Sequence, residues 1–217
     1  MLASDVLTRA RSVLQDETPV RWSDAELLRW LSDAMREVAV MVPECYVVTS
    51  NLKILANKLR QDLPATATRL FDVTRNMGVA GTTPGSVIRL IDRAVLDSMD
   101  PDWPTNTGSP VEHYLYDYKQ PLKFMVYPLQ SADTYVEIVH GDVPPPVVAL
   151  GDTIPVSDIY ASALLDGVLF RAYSKDAEVG NMQAATAYKK LFDERLTQLV
   201  TVTSQRAPAD ASGGSQA

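Results

Sequence analysis

Residues 21–42 read RWSDAELLRWLSDAMREVAVMV. Ser23 and Glu26 stand as S-x-x-E, the spacing at which a serine oxygen and a glutamate carboxylate each satisfy a free backbone N–H of a helix's first turn. Trp22 before the cap and Leu27 after it make a hydrophobic staple, and Pro43, with no N–H and a fixed φ, ends the helix. At about 100° per residue, Leu27, Trp30, Leu31, Ala34, Met35, Val38, Ala39, Met41 and Val42 cover roughly 180° of arc. That is wider than one packed side requires. Val40 falls outside the arc, among Arg29, Asp33 and Arg36. Either two neighbours within the same domain flank this helix, or part of its arc faces another subunit.

Working outward, three more helices are expected. Ser4 to Leu14 has a capping serine and apolar residues at helical spacing (Val6, Leu7, Ala10, Val13, Leu14). A third helix, about Asp158 to Tyr173, is apolar all round: Ala161, Leu164 and Val168 lie on one side, Ile159, Phe170 and Tyr173 on the other. Such a helix sits centrally in its assembly. A fourth, about Asn181 to Val200, has one apolar stripe (Ala185, Tyr188, Phe192, Leu196, Leu199) and a charged face of Lys189, Lys190, Asp193 and Glu194.

The middle of the chain reads as strands. Leu70–Thr74 and Val87–Ile91 are apolar and β-branched, and NMGVAGTTPGS between them is a loop. In VEHYLYDYKQPLKFMVY, Val111, His113 and Leu115 alternate with Glu112, Tyr114 and Tyr116, and Leu122, Phe124 and Val126 alternate with Lys123, Met125 and Tyr127. A turn at Tyr118–Pro121 makes this a hairpin. Tyr135 to His140 is a third alternating strand, so an antiparallel sheet with one apolar face is expected. DSMDPDWPTNTGSP reads as a long loop holding Trp103, and DVPPPVV as a stiff connector out of the sheet. The expected fold is α+β. A helical bundle from both ends of the chain (1–43 and 157–200) carries an inserted antiparallel β-sheet region (44–156) and an extended C-terminal tail (201–217). That tail, TVTSQRAPADASGGSQA, ends small, polar and unpatterned and should be disordered alone.

Composition narrows the function. Apolar residues make up 46% and charged residues 22% of 217, ordinary for a globular chain. No long uncharged apolar run marks a membrane span, and the N-terminus lacks the apolar core of a secretory signal. The single cysteine, Cys45, fits a reducing cytoplasm. Of the net charge of −7, residues 111–160 supply most, with two basic against seven acidic side chains. No Lys/Arg cluster suits phosphate, so specific or tight DNA binding is not expected.

Catalytic motifs are not evident. GVAGTTPGS has no following Lys for a phosphate cradle, and no G-x-S-x-G occurs. His113 and His140, with Asp142 nearby, are the one combination that could hold a metal, yet strand histidines are more often half-buried structural residues. No cofactor, metal or catalytic residue is expected.

Several segments together resemble the head-to-tail adaptor (connector) proteins of tailed bacteriophages: WSDAELLRWLSDAMREVA with Pro43 after it, LPATATRLFDVTRNMG, DRAVLDSMDPDW, FMVYP and LLDGVLFRAYSKDAEVGN. They occur in the family's order over about residues 20–200. Leu129 after Pro128 departs from the pattern, in which a second proline is common. The resemblance implies a structural virion protein at the head–tail junction, made in the bacterial host cytoplasm, that binds under the portal ring. It implies a homo-oligomeric ring of about twelve copies, DNA passing through the lumen without specific binding, and tail or nozzle protein attached below. Another neck or tail-completion role, or a small enzyme near His113 and His140, are the alternatives.

A ring protomer needs contact surface. Trp30, Val40, Trp103, Tyr114, Tyr116 and Tyr118 are the candidate interface residues, since aromatics are enriched at interface centres. Trp103 could equally plug its own domain's sheet. Thr203, Gln205, Arg206, Pro208 and Gln216 are candidates for a portal-docking tail. The acidic middle could approach the DNA channel, where repulsion lets DNA slide.

Overall fold

A computed structural model describes residues 1–175 and 179–206. The fold is mixed α+β and divides into two compact units, Met1–Tyr46 with Pro144–Ala217, and Val47–Val143.

The first unit holds α1 (Ala3–Leu14), α2 (Asp24–Met41), α4 (Ala161–Ser174) and α5 (Val179–Arg206) around one core. The Ser23–Glu26 box forms as read: Glu26 N–H donates to Ser23 Oγ at 3.3 Å and Ser23 N–H to Glu26 at 3.2 Å. α1 starts differently. Leu2 stands at the cap, Ser4 lies inside the helix, and the Leu2 N–H donates to the Asp5 carboxylate at 2.8 Å. Between α1 and α2, Arg11 donates to the Asp16 carboxylate, the Asp16 and Trp22 carbonyls and Asp24, while Asp16 accepts the N–H groups of Val20, Arg21 and Trp22. Burial pushes the Asp16 carboxyl up, but those N–H groups and the Arg11 guanidinium hold it below its ordinary 3.8. The proline-rich connector is pinned by Ser32 of α2, which donates to and accepts from Val147.

Centrality of α4 has a steric requirement. A Cβ on Gly167 would lie 2.8 Å from Ala34 Cβ of α2 and 3.2 Å from the Phe192 ring of α5. Only glycine permits both neighbours at that range. Its neighbour Asp166 is buried on the same helix and pairs with Arg195 of α5 at 2.5 Å.

The second unit contains two sheets, not one. Strands β1 (Val47–Ile54), β7 (Thr134–Asp142) and β3 (Ala67–Asn76) form a three-stranded antiparallel sheet in the order β1-β7-β3. Strands β2 (Arg60–Asp62), β6 (Lys123–Tyr127), β5 (His113–Tyr116) and β4 (Arg89–Leu90) form the other, and β4 runs parallel to β5. A parallel pair needs a crossover. The crossover begins with helix α3 (Arg93–Met99), capped by Asp92 accepting from Ala94 N–H at 2.7 Å, which takes in the first three residues of the stretch read as a loop; the rest of that stretch stays without helix or strand and brings Trp103 round. β5 and β6 are therefore covered on both faces. Tyr114, Phe124 and Val126 face one core with Val73, Val136 and Ile138, while Leu115, Met125 and Tyr127 pack with Leu96 and Trp103. Buried Asn76 ties β3 to Val111, two residues before β5, donating to the Val111 carbonyl at 2.7 Å and accepting its N–H at 3.1 Å.

Candidate interaction surfaces

The broad arc of α2 is consumed by its own unit. Leu27, Leu31, Ala34, Met35, Val38, Ala39 and Val42 are all buried, because α1, α4 and α5 pack round this helix. What stays open is its C-terminal end, where Val40 is 68% and Met41 52% exposed. Trp30 is half-buried against the core.

Two adjoining depressions lie on this unit. A cleft of about 410 Å³ between α2 and α5 is lined by Val40, Met41, Phe192 and Leu196 with Arg36 and Glu37 at its rim. A groove of about 990 Å³ along α5 and the end of α4 is lined by Phe170, Met182 and Ala185, with polar residues beside them. Lys189 borders both, its ammonium 5.7 Å from the Phe170 ring and 5.3 Å from the Phe192 ring, while it binds Asp193 at 2.6 Å. The other rim charges are also paired: Arg36 with Asp33, Arg171 with Glu37, Lys190 with Glu194. Such a rim needs no countercharge from a partner, and the floor offers apolar area. Sequence reading passed over Met182 because it sits beside its helix's stripe, and Phe170 because a helix apolar all round gives no sign of which side chain stays open.

Two predicted interface aromatics are corrected. Trp103 is 2% exposed, packs on Leu96 and Leu115, and donates its indole N–H to Asp97 at 2.6 Å. Tyr114 is 4% exposed with its hydroxyl on Asp72 at 2.9 Å, and burial, then the Asp72 charge, pushes its phenol up. Both rings are spent inside their own unit. Tyr116 is half-buried and donates to the Pro121 carbonyl, while Tyr118 is exposed at the hairpin turn. The tail prediction changes at its start: α5 continues past Val200 to Arg206, so Thr203, Gln205 and Arg206 lie on a helix, not on an extended segment. Pro208 and Gln216 lie outside the described residues.

The residues of the acidic middle divide between the two units at Val143. Counted by unit, residues 47–143 hold nine basic and eleven acidic side chains, and the rest of the chain eleven and sixteen. Arg75–Glu137, Lys53–Asp133 and Lys58–Asp62 pairs neutralise much of the former.

The histidines do not meet as imagined. His140 is buried in the first sheet with its ring nitrogens on Ser50 and the Gly141 carbonyl, and His113 lies in the second, stacked on Tyr127. Among the described residues no group of three His, Cys, Asp or Glu is placed to hold a metal. Burial, then Glu44, pushes the Cys45 thiol up to about 12, which leaves it protonated and a poor nucleophile. No helix among the described residues is long and apolar enough to cross a membrane.

The family model described as SU10 adaptor protein matches residues 1–215. The chain belongs to the SU10 adaptor protein family. A search of curated proteins finds no significant match. Membership in this phage adaptor family supports a structural phage role.

Proposed function

We propose that this adaptor is a structural virion protein that docks beneath the portal ring and joins it to tail or nozzle protein. About twelve copies would close a ring by heterologous contacts, with DNA passing through the lumen unbound. The observation that carries this reading is the family match over residues 1–215. The α2–α5 cleft and the α4–α5 groove supply apolar contact area for neighbours, with Val40 and Met41 at its edge. The net negative charge without a Lys/Arg cluster suits a channel that must not retain DNA. The small, polar sequence beyond Arg206 would supply the segment that docks on portal.

Co-sedimentation with purified portal rings tests this. The full chain is expected to pellet with portal, and a chain ending at Arg206 to keep its helical signal yet stay in the supernatant. Binding to tail tube with none to portal would move the protein to a tail-completion role and end the proposal.

A further inference from the structure

The three-stranded sheet treats its two edges differently. β3 shifts register against β7 three times, and its last residues are covered by Ser86 to Ile88. Bulges and covering segments are how proteins keep a strand edge from pairing. β1 runs against β7 for eight residues with no shift.

Which backbone groups of β1 are open follows from β7. Tyr135 directs its carbonyl to Met77 N–H at 2.7 Å and its N–H to Gly78 at 3.1 Å, both toward β3. Backbone direction alternates along a strand, so Thr134, Val136, Ile138 and His140 bond β1, opposite Ile54, Leu52, Ser50 and Val48. Val47, Thr49, Asn51 and Lys53 therefore aim N–H and C=O away from the sheet. Leu55 continues that series and is capped: its N–H donates to the Gln61 side chain at 3.0 Å and its carbonyl accepts from it at 3.2 Å. Among the described residues no backbone partner meets the other four.

We propose that this edge pairs antiparallel with β1 of a second copy. The sequence of the strand fits itself. With Ser50 on the twofold axis, Thr49 faces Asn51 and Val47 faces Lys53, so every outward residue meets an outward residue and no like charges oppose. On the core side Val48 faces Leu52, and both are half-buried here, so pairing covers apolar surface as well. The other edges of this unit offer no equivalent: β2 has three residues, β4 two, and β3 is bulged. A twofold pair closes at two copies. It is a property of the free protein and does not rest on the portal reading, whose ring must use other surfaces.

Sedimentation of the full chain over a concentration series tests it, with a monomer–dimer equilibrium expected. Thr49→Pro deletes an outward donor but leaves the bonds to β7, and should weaken association about tenfold or more with circular dichroism unchanged. In a Cys45→Ala background, Ser50→Cys should cross-link the dimer on oxidation, because the axis sets the two residues about 4.5 Å apart at Cα. A chain monomeric at every concentration, a dimer indifferent to Thr49→Pro, or a dimer that Ser50→Cys fails to cross-link would each overturn the proposal.

Discussion

The helical unit closes α4 between α1, α2 and α5, and what it leaves uncovered is apolar side chain at the end of α2 and along α5. The strand unit covers β5 and β6 on both faces, and what it leaves uncovered is backbone along β1. The difference is one of contact chemistry. The first surface accepts any apolar shape that fits, since its rim charges are already paired. The second accepts only an extended strand in register. An assembly protein with both has a permissive surface and a selective one.

The largest effects test whether each unit's aromatic centre belongs to its own core. Phe192→Ala and Trp103→Ala should each cost about 3–5 kcal/mol of stability, read as a lowered denaturant midpoint of the isolated protein. If Trp103→Ala left unfolding unchanged and weakened only assembly, the interface reading would return. Next, Gly167→Ala should cost about 1–3 kcal/mol, because α2 and α5 must move off α4. Asn76→Ala should cost about 1–3 kcal/mol by stranding the Val111 N–H and carbonyl. At the small end, Val40→Ser should shift stability by less than about 0.5 kcal/mol but reduce assembly; equal loss of both would place Val40 in the fold instead.

A pH measurement sharpens the helical side. The folded Asp16 carboxyl is held below 3.8, so its contribution is present above that value and lost as pH falls through the folded one. Asp16→Asn should lower the melting temperature at neutral pH and narrow its gap to the parent in acid. A gap unchanged by acid would remove the Arg11–Asp16 clasp as a source of stability.

Helices α1, α2, α4 and α5 were legible because their signals are local. The Ser23–Glu26 box, Pro43 and the all-round apolarity of α4 each mark one element and its burial. The strand unit was less so. β1 was missed because Ser50 and Asn51 interrupt its apolar residues, and β3 buries every third residue, since its repeated bulges replace the alternation a strand normally shows. The crossover through α3 and Trp103 depends on a parallel pair that only tertiary structure reveals. For the surfaces, the place of Val40 outside the apolar arc agrees with its exposure. Sequence reading misplaced Tyr114 and left Trp103 open between interface and core, because an aromatic in a loop or on a polar-looking strand face carries no sign of what covers it. Seven of the nine residues of the α2 arc are covered by three neighbours within the chain, Trp30 is half-buried and Met41 stays open.

The most direct test of the adaptor reading is electron microscopy of the purified full-length chain mixed with portal rings. A ring of density beneath the portal, with the helical unit at the contacts between copies, is the result expected. Portal rings that stay bare at saturating adaptor would contradict it.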